Sequence, residues 1–201
     1  MTTHRSVADA RALAAAPLLL AILARERLEA QLLTHLFVQF PLLLAAGALL
    51  AGPRPPARLG PWNRGGAAGL ALAAVILAFW MLPRVIDASV GDGRFAFAKF
   101  AALPVAGAAL ACCLPRLPWL ARQFLALQTI AMAAAVGWLY LALPERLCLR
   151  YLRSEQDELG AAFLIVAVTS FCVWLGGLLR VAPDRRAIPR AGRPFAAEAS
   201  L

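Results

Sequence analysis

Charge is what this chain has least of: 15% of its 201 residues are Asp, Glu, Lys or Arg, against about 25% in soluble domains. A soluble domain of this size keeps much of its surface in water, where 62% hydrophobic residues at a mean hydropathy of +0.72 cannot be hidden. The expected solvent is therefore the lipid bilayer, and the soluble-enzyme and disordered readings are excluded. Lysine is almost missing as well, with Lys99 alone beside nineteen arginines. The net charge of +9 and pI near 10.9 are those of many nucleic-acid binders, but the arginines lie in ones and twos between apolar runs. They never gather with interleaved aromatics as a nucleic-acid platform requires, so they read as topology signals and phospholipid headgroup contacts.

The chemistry-bearing residues are sparse too. Cys112, Cys113, Cys148 and Cys172 form no CxxC pair and no dense disulfide spacing, and the vicinal pair reads as membrane packing, since a free Cys behaves as a small hydrophobe. There are two histidines, His4 and His35, and only His35 falls in an apolar run, which excludes bis-histidine haem ligation within the chain. The HExxH helix and phosphate-cradling glycine loops are missing. Ser154, Thr169 and Ser170 have no histidine near them in sequence to act as base. The chain is therefore not read as an enzyme.

What is present is a series of apolar runs. Those at about 28–51, 65–82, 96–114, 122–143 and 160–179 are long enough for a helix to cross the roughly 30 Å of hydrocarbon. A sixth, 12–24, is short, but Arg11 and Arg25 could snorkel to headgroups and let it span. Five spans would place nine arginines on one side and ten on the other, an orientation-free balance. Six place twelve on one side, against seven plus Lys99 on the other. The positive-inside rule then puts both termini in the cytoplasm. A competing reading makes 12–24 the apolar core of a cleaved signal peptide; Ile22 at the minus-three position fits such a site poorly, and the later spans keep their orientation either way. The expected fold is an all-α, polytopic six-helix bundle over residues 1–182 with a flexible cytoplasmic tail at 183–201, in the bacterial inner membrane.

Punctuation supports short hairpins. Pro53, Pro83 and Pro144 end helices, and Pro115 and Pro118 bracket a tight turn. Ser154 to Asp157 reads as a capping box for the last helix. Gly65, Gly69 and Ala73 form a small-residue stripe for helix packing. Trp62, Trp80, Trp119 and Tyr140 stand near span ends as an aromatic belt. Gln123 and Gln128 are expected to bond neighbouring helices, and no internal repeat suggests a duplicated transporter.

The second run carries the most informative pattern. Gln31, His35 and Gln39 recur every four residues, which places them on one helix face, and that face must turn to the bundle interior or a watered cavity rather than to lipid. His35 is expected about 10 Å below the outer boundary. Met81, at the outer end of the third run, and Cys148, in the connection before the sixth, lie at the same level. Because copper favours imidazole with thioether and thiolate, His35, Met81 and Cys148 are the candidate metal ligands; His35 serves equally well as a packing hydrogen-bond partner. Glu29, Asp87, Glu155 and Asp157 are read as outer acidic groups on a solvated face.

The stretch Glu29–Gly47, with Thr34-His35-Leu36-Phe37-Val38-Gln39 at its centre, resembles the CtaG-type bacterial membrane proteins associated with cytochrome c oxidase assembly. That resemblance implies a copper-handling role with His35 as the corresponding position and a respiratory oxidase as partner. The alternative is a non-catalytic membrane subunit or anchor, in which the polar stripe packs against a partner helix. A small-solute transporter is a third reading.

Overall fold

The computed structural model describes residues 15–52, 63, 65–143 and 147–181, which are helical and contain no strand. Residues 15–23 form α1, and Arg25–Glu29 form α2. Leu32–Ala51 form α3, with a π-turn at His35–Gln39. Then come α4 (Ala67–Trp80), α5 (Pro83–Gly91) and α6 (Gly93–Cys113), the last closed by a 3-10 turn at Leu114–Arg116. A long hairpin of α7 (Trp119–Ala142) and α8 (Arg153–Val181) completes the bundle.

Four helices, α3, α6, α7 and α8, are long and apolar enough to cross a membrane, and a fifth crossing exists if the bent pair α4–α5 is one span. Six crossings are not reached among the described residues. The first expected span contributes only residues 15–23 of helix, a rise of about 14 Å, and residues 12–14 lie outside the described part, as does the 183–201 tail. The third expected span is also shorter than its hydropathy suggests. Chain direction turns by 73° between α4 and α5, because Leu82 is extended and Pro83 opens the next helix. Val85, Ile86 and Ser89 of α5 are buried, so α5 caps one end of the bundle.

The expected continuous helix over 28–51 is broken as well. Gln31 is extended, with φ −125° and ψ 137°, and the Thr34 hydroxyl closes the break by donating to the Leu28 and Gln31 carbonyls at 2.8 and 3.0 Å. Pro41 cannot donate to the Phe37 carbonyl, and the turn before it widens so that the Phe40 amide bonds the His35 carbonyl. Helix α3 is the central element, with 44% of its apolar window buried against 6% for α8. It meets α6 backbone to backbone. A Cβ on Gly47 would lie 1.7 Å from the Pro104 carbonyl oxygen, and one on Gly107 1.9 Å from that of Leu44. In α7 and α8, Gly137 and Gly160 face each other in the same way, at 2.8 and 2.9 Å. Small residues are what permit such approach.

The stripe on α4 packs inside the bundle: Ala73 is fully buried, and a Cβ on Gly69 would meet Cys113 at 3.0 Å. Gly65 faces open space. Two expected belt aromatics instead belong to the core, since Trp80 and Tyr140 are 2% and 5% exposed. Trp119 is exposed, and Trp62 lies outside the described residues. Gln123 accepts from the Trp174 indole at 2.9 Å and ties α7 to α8, whereas Gln128 is exposed.

Candidate functional site

Lys99 is the centre of the polar chemistry. It lies on the α6 face that buries Ala96, Leu103, Ala106 and Gly107, about 9 Å along the helix from Gly93. An ammonium has three donors and no acceptor, and here each donor has a partner. Nζ lies 2.6 Å from Glu29 Oε1, 2.8 Å from Gln39 Oε1 and 3.0 Å from His35 Nε2. Because Nε2 receives a Lys99 proton, the imidazole carries its own on Nδ1 and donates to Tyr151 Oη at 2.8 Å. Tyr151 in turn donates to the Glu29 carbonyl at 3.0 Å. Arg25 supports Glu29 from the exposed side, with Nε 3.1 and 3.0 Å from the two carboxylate oxygens. Gln39 Nε2 completes the set, 3.3 Å from Glu29 Oε1 and 3.4 Å from the Ala21 carbonyl. Among the described residues no buried side-chain nitrogen or oxygen is without a partner.

Local structure explains how these groups meet. The break at Ala30–Gln31 lets α2 fold back so that Glu29 faces the bundle, and the widened turn keeps both His35 and Gln39 fully buried and aimed at Lys99. The 147–152 connection is shaped by two side chains that hold its backbone. Gln156, itself buried, accepts from the Leu147 amide at 2.9 Å and donates to the Cys148 and Tyr151 carbonyls at 3.0 and 3.4 Å. Asp87 accepts from the Leu149 and Arg150 amides at 2.7 and 3.4 Å. Together they hold Tyr151 over His35.

The expected site residues divide accordingly. His35 and Gln39 converge, but Gln31 is exposed and off their face, because the helix restarts after it. Glu29 is no solvated acid; it is 7% exposed and ion-paired to Lys99. Asp87 and Glu155 cap backbone, Glu155 by accepting from the Leu152 amide at 2.8 Å. The capping box expected at Ser154–Asp157 therefore does not form: the helix begins at Arg153, and Glu155 caps the amide of Leu152, whose own side chain has no acceptor to return the bond. Asp157 pairs with Arg153 at 3.0 Å. Met81 is 40% exposed at the end of α4. Cys148 is buried, with its Sγ 3.8 Å from Tyr140 Oη and 4.0 Å from the Pro83 carbonyl. Both ring nitrogens of His35 are occupied within the chain, and no group of three or more His, Cys, Asp or Glu that could hold a metal occurs among the described residues. Copper and oxidase assembly gain no support from this arrangement. Sequence reasoning missed Lys99, Tyr151 and Gln156 as site residues; for Lys99 the available signal was its uniqueness, a lone lysine inside an apolar run.

Outside the membrane segments, burial pushes the Cys148 thiol up to about 11, with the nearby Asp87 carboxylate acting in the same direction and the Tyr140 hydrogen bond against it. Burial, followed by the Glu29 charge, raises the Tyr151 phenol. Since the thiolate is the nucleophile, Cys148 should react with N-ethylmaleimide at pH 8 about a hundredfold more slowly than a thiol at the usual 9.0. Asp87→Ala, which frees the Leu149 and Arg150 amides, should raise that rate. Labelling of Cys148 at the ordinary rate in the parent would show that the connection is not held as described.

The helices and their buried ionic centre define a polytopic α-helical membrane protein. No protein-family model, curated protein or solved structure matches the chain.

Proposed function

We propose that the chain is a non-catalytic subunit or anchor of a complex in the bacterial inner membrane, with both termini cytoplasmic. In this reading the Glu29–Lys99–His35 centre is an ionic lock at the periplasmic end. The observation that carries the reading is the complete internal use of Lys99: each of its donors is spent on the chain's own acceptors, leaving none for a substrate. Below Gln39 the α3–α6 seam is closed by the glycine contacts at Gly47 and Gly107, which supports a packed scaffold over a conducting path. On the six-span count, with residues 12–24 as the first crossing, the arginine distribution supports this orientation. The sparsely buried surfaces of α7 and α8 leave ample area for partner helices.

The test is purification of the tagged chain at native expression level in mild detergent, followed by mass spectrometry. A recurrent, stoichiometric membrane partner is expected, and its loss on mutation of exposed α8 residues such as Ile165 and Val168 would locate the interface. Solute or proton flux catalysed by the purified chain alone in liposomes would overturn the reading.

One observation favours a second reading. A cleft of about 490 Å³, lined by Arg25, Glu26, Glu29, Ala30 and Val90, leads from the surface to the Glu29 carboxylate. Intramembrane ionisable groups often mark substrate or ion pathways, and the cleft gives the aqueous phase access to this one. Glu29→Gln would then abolish a transport step of the complex while leaving its assembly intact; in the scaffold reading assembly and function fall together.

A further inference from the structure

The bundle end opposite Lys99 has a second cavity that the ionic lock does not explain. It is a cleft of about 550 Å³ between α7 and α8, whose lining includes Arg122, Ala126, Ile130, Ser170, Val173 and Trp174. Its long axis follows the helices, running from Arg122 in the first turn of α7 to Ile130, about 12 Å deeper. The wall is more apolar than its residue types suggest. Thr129 and Thr169 turn their hydroxyls back onto the Leu125 and Ile165 carbonyls of their own helices, at 2.8 and 2.7 Å. The Trp174 indole N–H is spent on Gln123. The Arg122 guanidinium, exposed at the mouth, makes no hydrogen bond or ion pair among the described residues.

We infer that this cleft binds an anionic phospholipid, with an acyl chain lying between α7 and α8 and the phosphate on the Arg122 guanidinium. The chemistry matches at both ends. A slot running along the helices, in which Ser170 carries the one lining hydroxyl not turned back onto backbone among the described residues, suits a hydrocarbon chain. A planar guanidinium at headgroup depth suits a phosphate oxygen pair, and a cation near an anionic membrane surface contributes about 1 kcal/mol.

The test is lipid retention by the full chain in detergent, read by native mass spectrometry after delipidation and addition of phosphatidylglycerol, phosphatidylcholine or inorganic phosphate. One tightly held phosphatidylglycerol is expected, with phosphatidylcholine weaker and phosphate alone not retained. Arg122→Gln should weaken phosphatidylglycerol about fivefold, and Ala126→Phe, which fills the slot, should abolish retention. Arg180→Gln, at the same end but outside the lining, should change nothing. Equal retention of the two lipids, retention that survives Ala126→Phe in a folded variant, or an equal loss with Arg180→Gln would overturn the inference.

Discussion

Lys99→Met should cost about 3–5 kcal/mol of stability, the scale on which breaking a buried ion pair operates. The variant leaves Glu29, at 7% exposure, without its closest cation, and it strips a donor from both His35 Nε2 and Gln39 Oε1. Arg25 remains on Glu29, but it is partly exposed and screened, so it offsets little. Combining Lys99→Met with Glu29→Gln removes the uncompensated charge and should recover much of the loss, because replacing both members of a buried pair costs far less than removing one. Lys99→Arg should not rescue, since a planar fork cannot place three donors where a compact ammonium does. Thermal unfolding in detergent measures all three; a Lys99→Met variant as stable as the parent would show that the lock bears no load.

The second large effect is steric. Gly107→Ala should separate α3 from α6, because its Cβ would stand 1.9 Å from the Leu44 carbonyl oxygen, whereas contacts under 3.0 Å essentially never occur. The obstacle is backbone, so no side chain can rotate away, and the helices must part by about 1 Å or more. The expected cost is at or above the upper end of the roughly 1–3 kcal/mol usual for overpacking. Gly47→Ala should behave alike, with its Cβ 1.7 Å from the Pro104 oxygen. Gly176→Ala and Gly177→Ala, where nothing lies within 4 Å, should be close to neutral and serve as controls. Equal unfolding midpoints for all four variants would refute the close crossing. Parting α3 from α6 also pulls Lys99 away from Gln39 and His35, so the two sets of variants should couple in a double-mutant cycle.

The two ends of the bundle differ in how far local pattern reaches. Apolar runs place α6 and α7, and the C-terminal end of α8, to within a few residues, because hydropathy sums over a window and needs no knowledge of neighbours, whereas the polar first turns of α8 from Arg153 fall outside its run. The same summation misses the restart at Gln31 and the 73° turn after Trp80, where single-residue backbone geometry decides. The stripe Gln31, His35, Gln39 is right for its last two members and wrong for its first, since periodicity holds only while the helix continues. Asp87 and Glu155 read as solvated acids because composition does not distinguish a solvated carboxylate from one that caps an amide.

By itself, the sequence determined the solvent, the helical class and the approximate helix ends at proline and glycine, and it singled out His35 as a buried polar group with an amide one turn away. These are local properties, set by hydropathy summed along a window and by the backbone preferences of individual residues. Only the tertiary structure decided that Lys99 meets Glu29 across 70 residues and that Tyr151 meets His35 across 116. Such pairings depend on the relative height and rotation of packed helices, which are set by contacts of a few ångströms at Gly47, Gly107 and the 147–152 connection, and no spacing along one chain encodes that register.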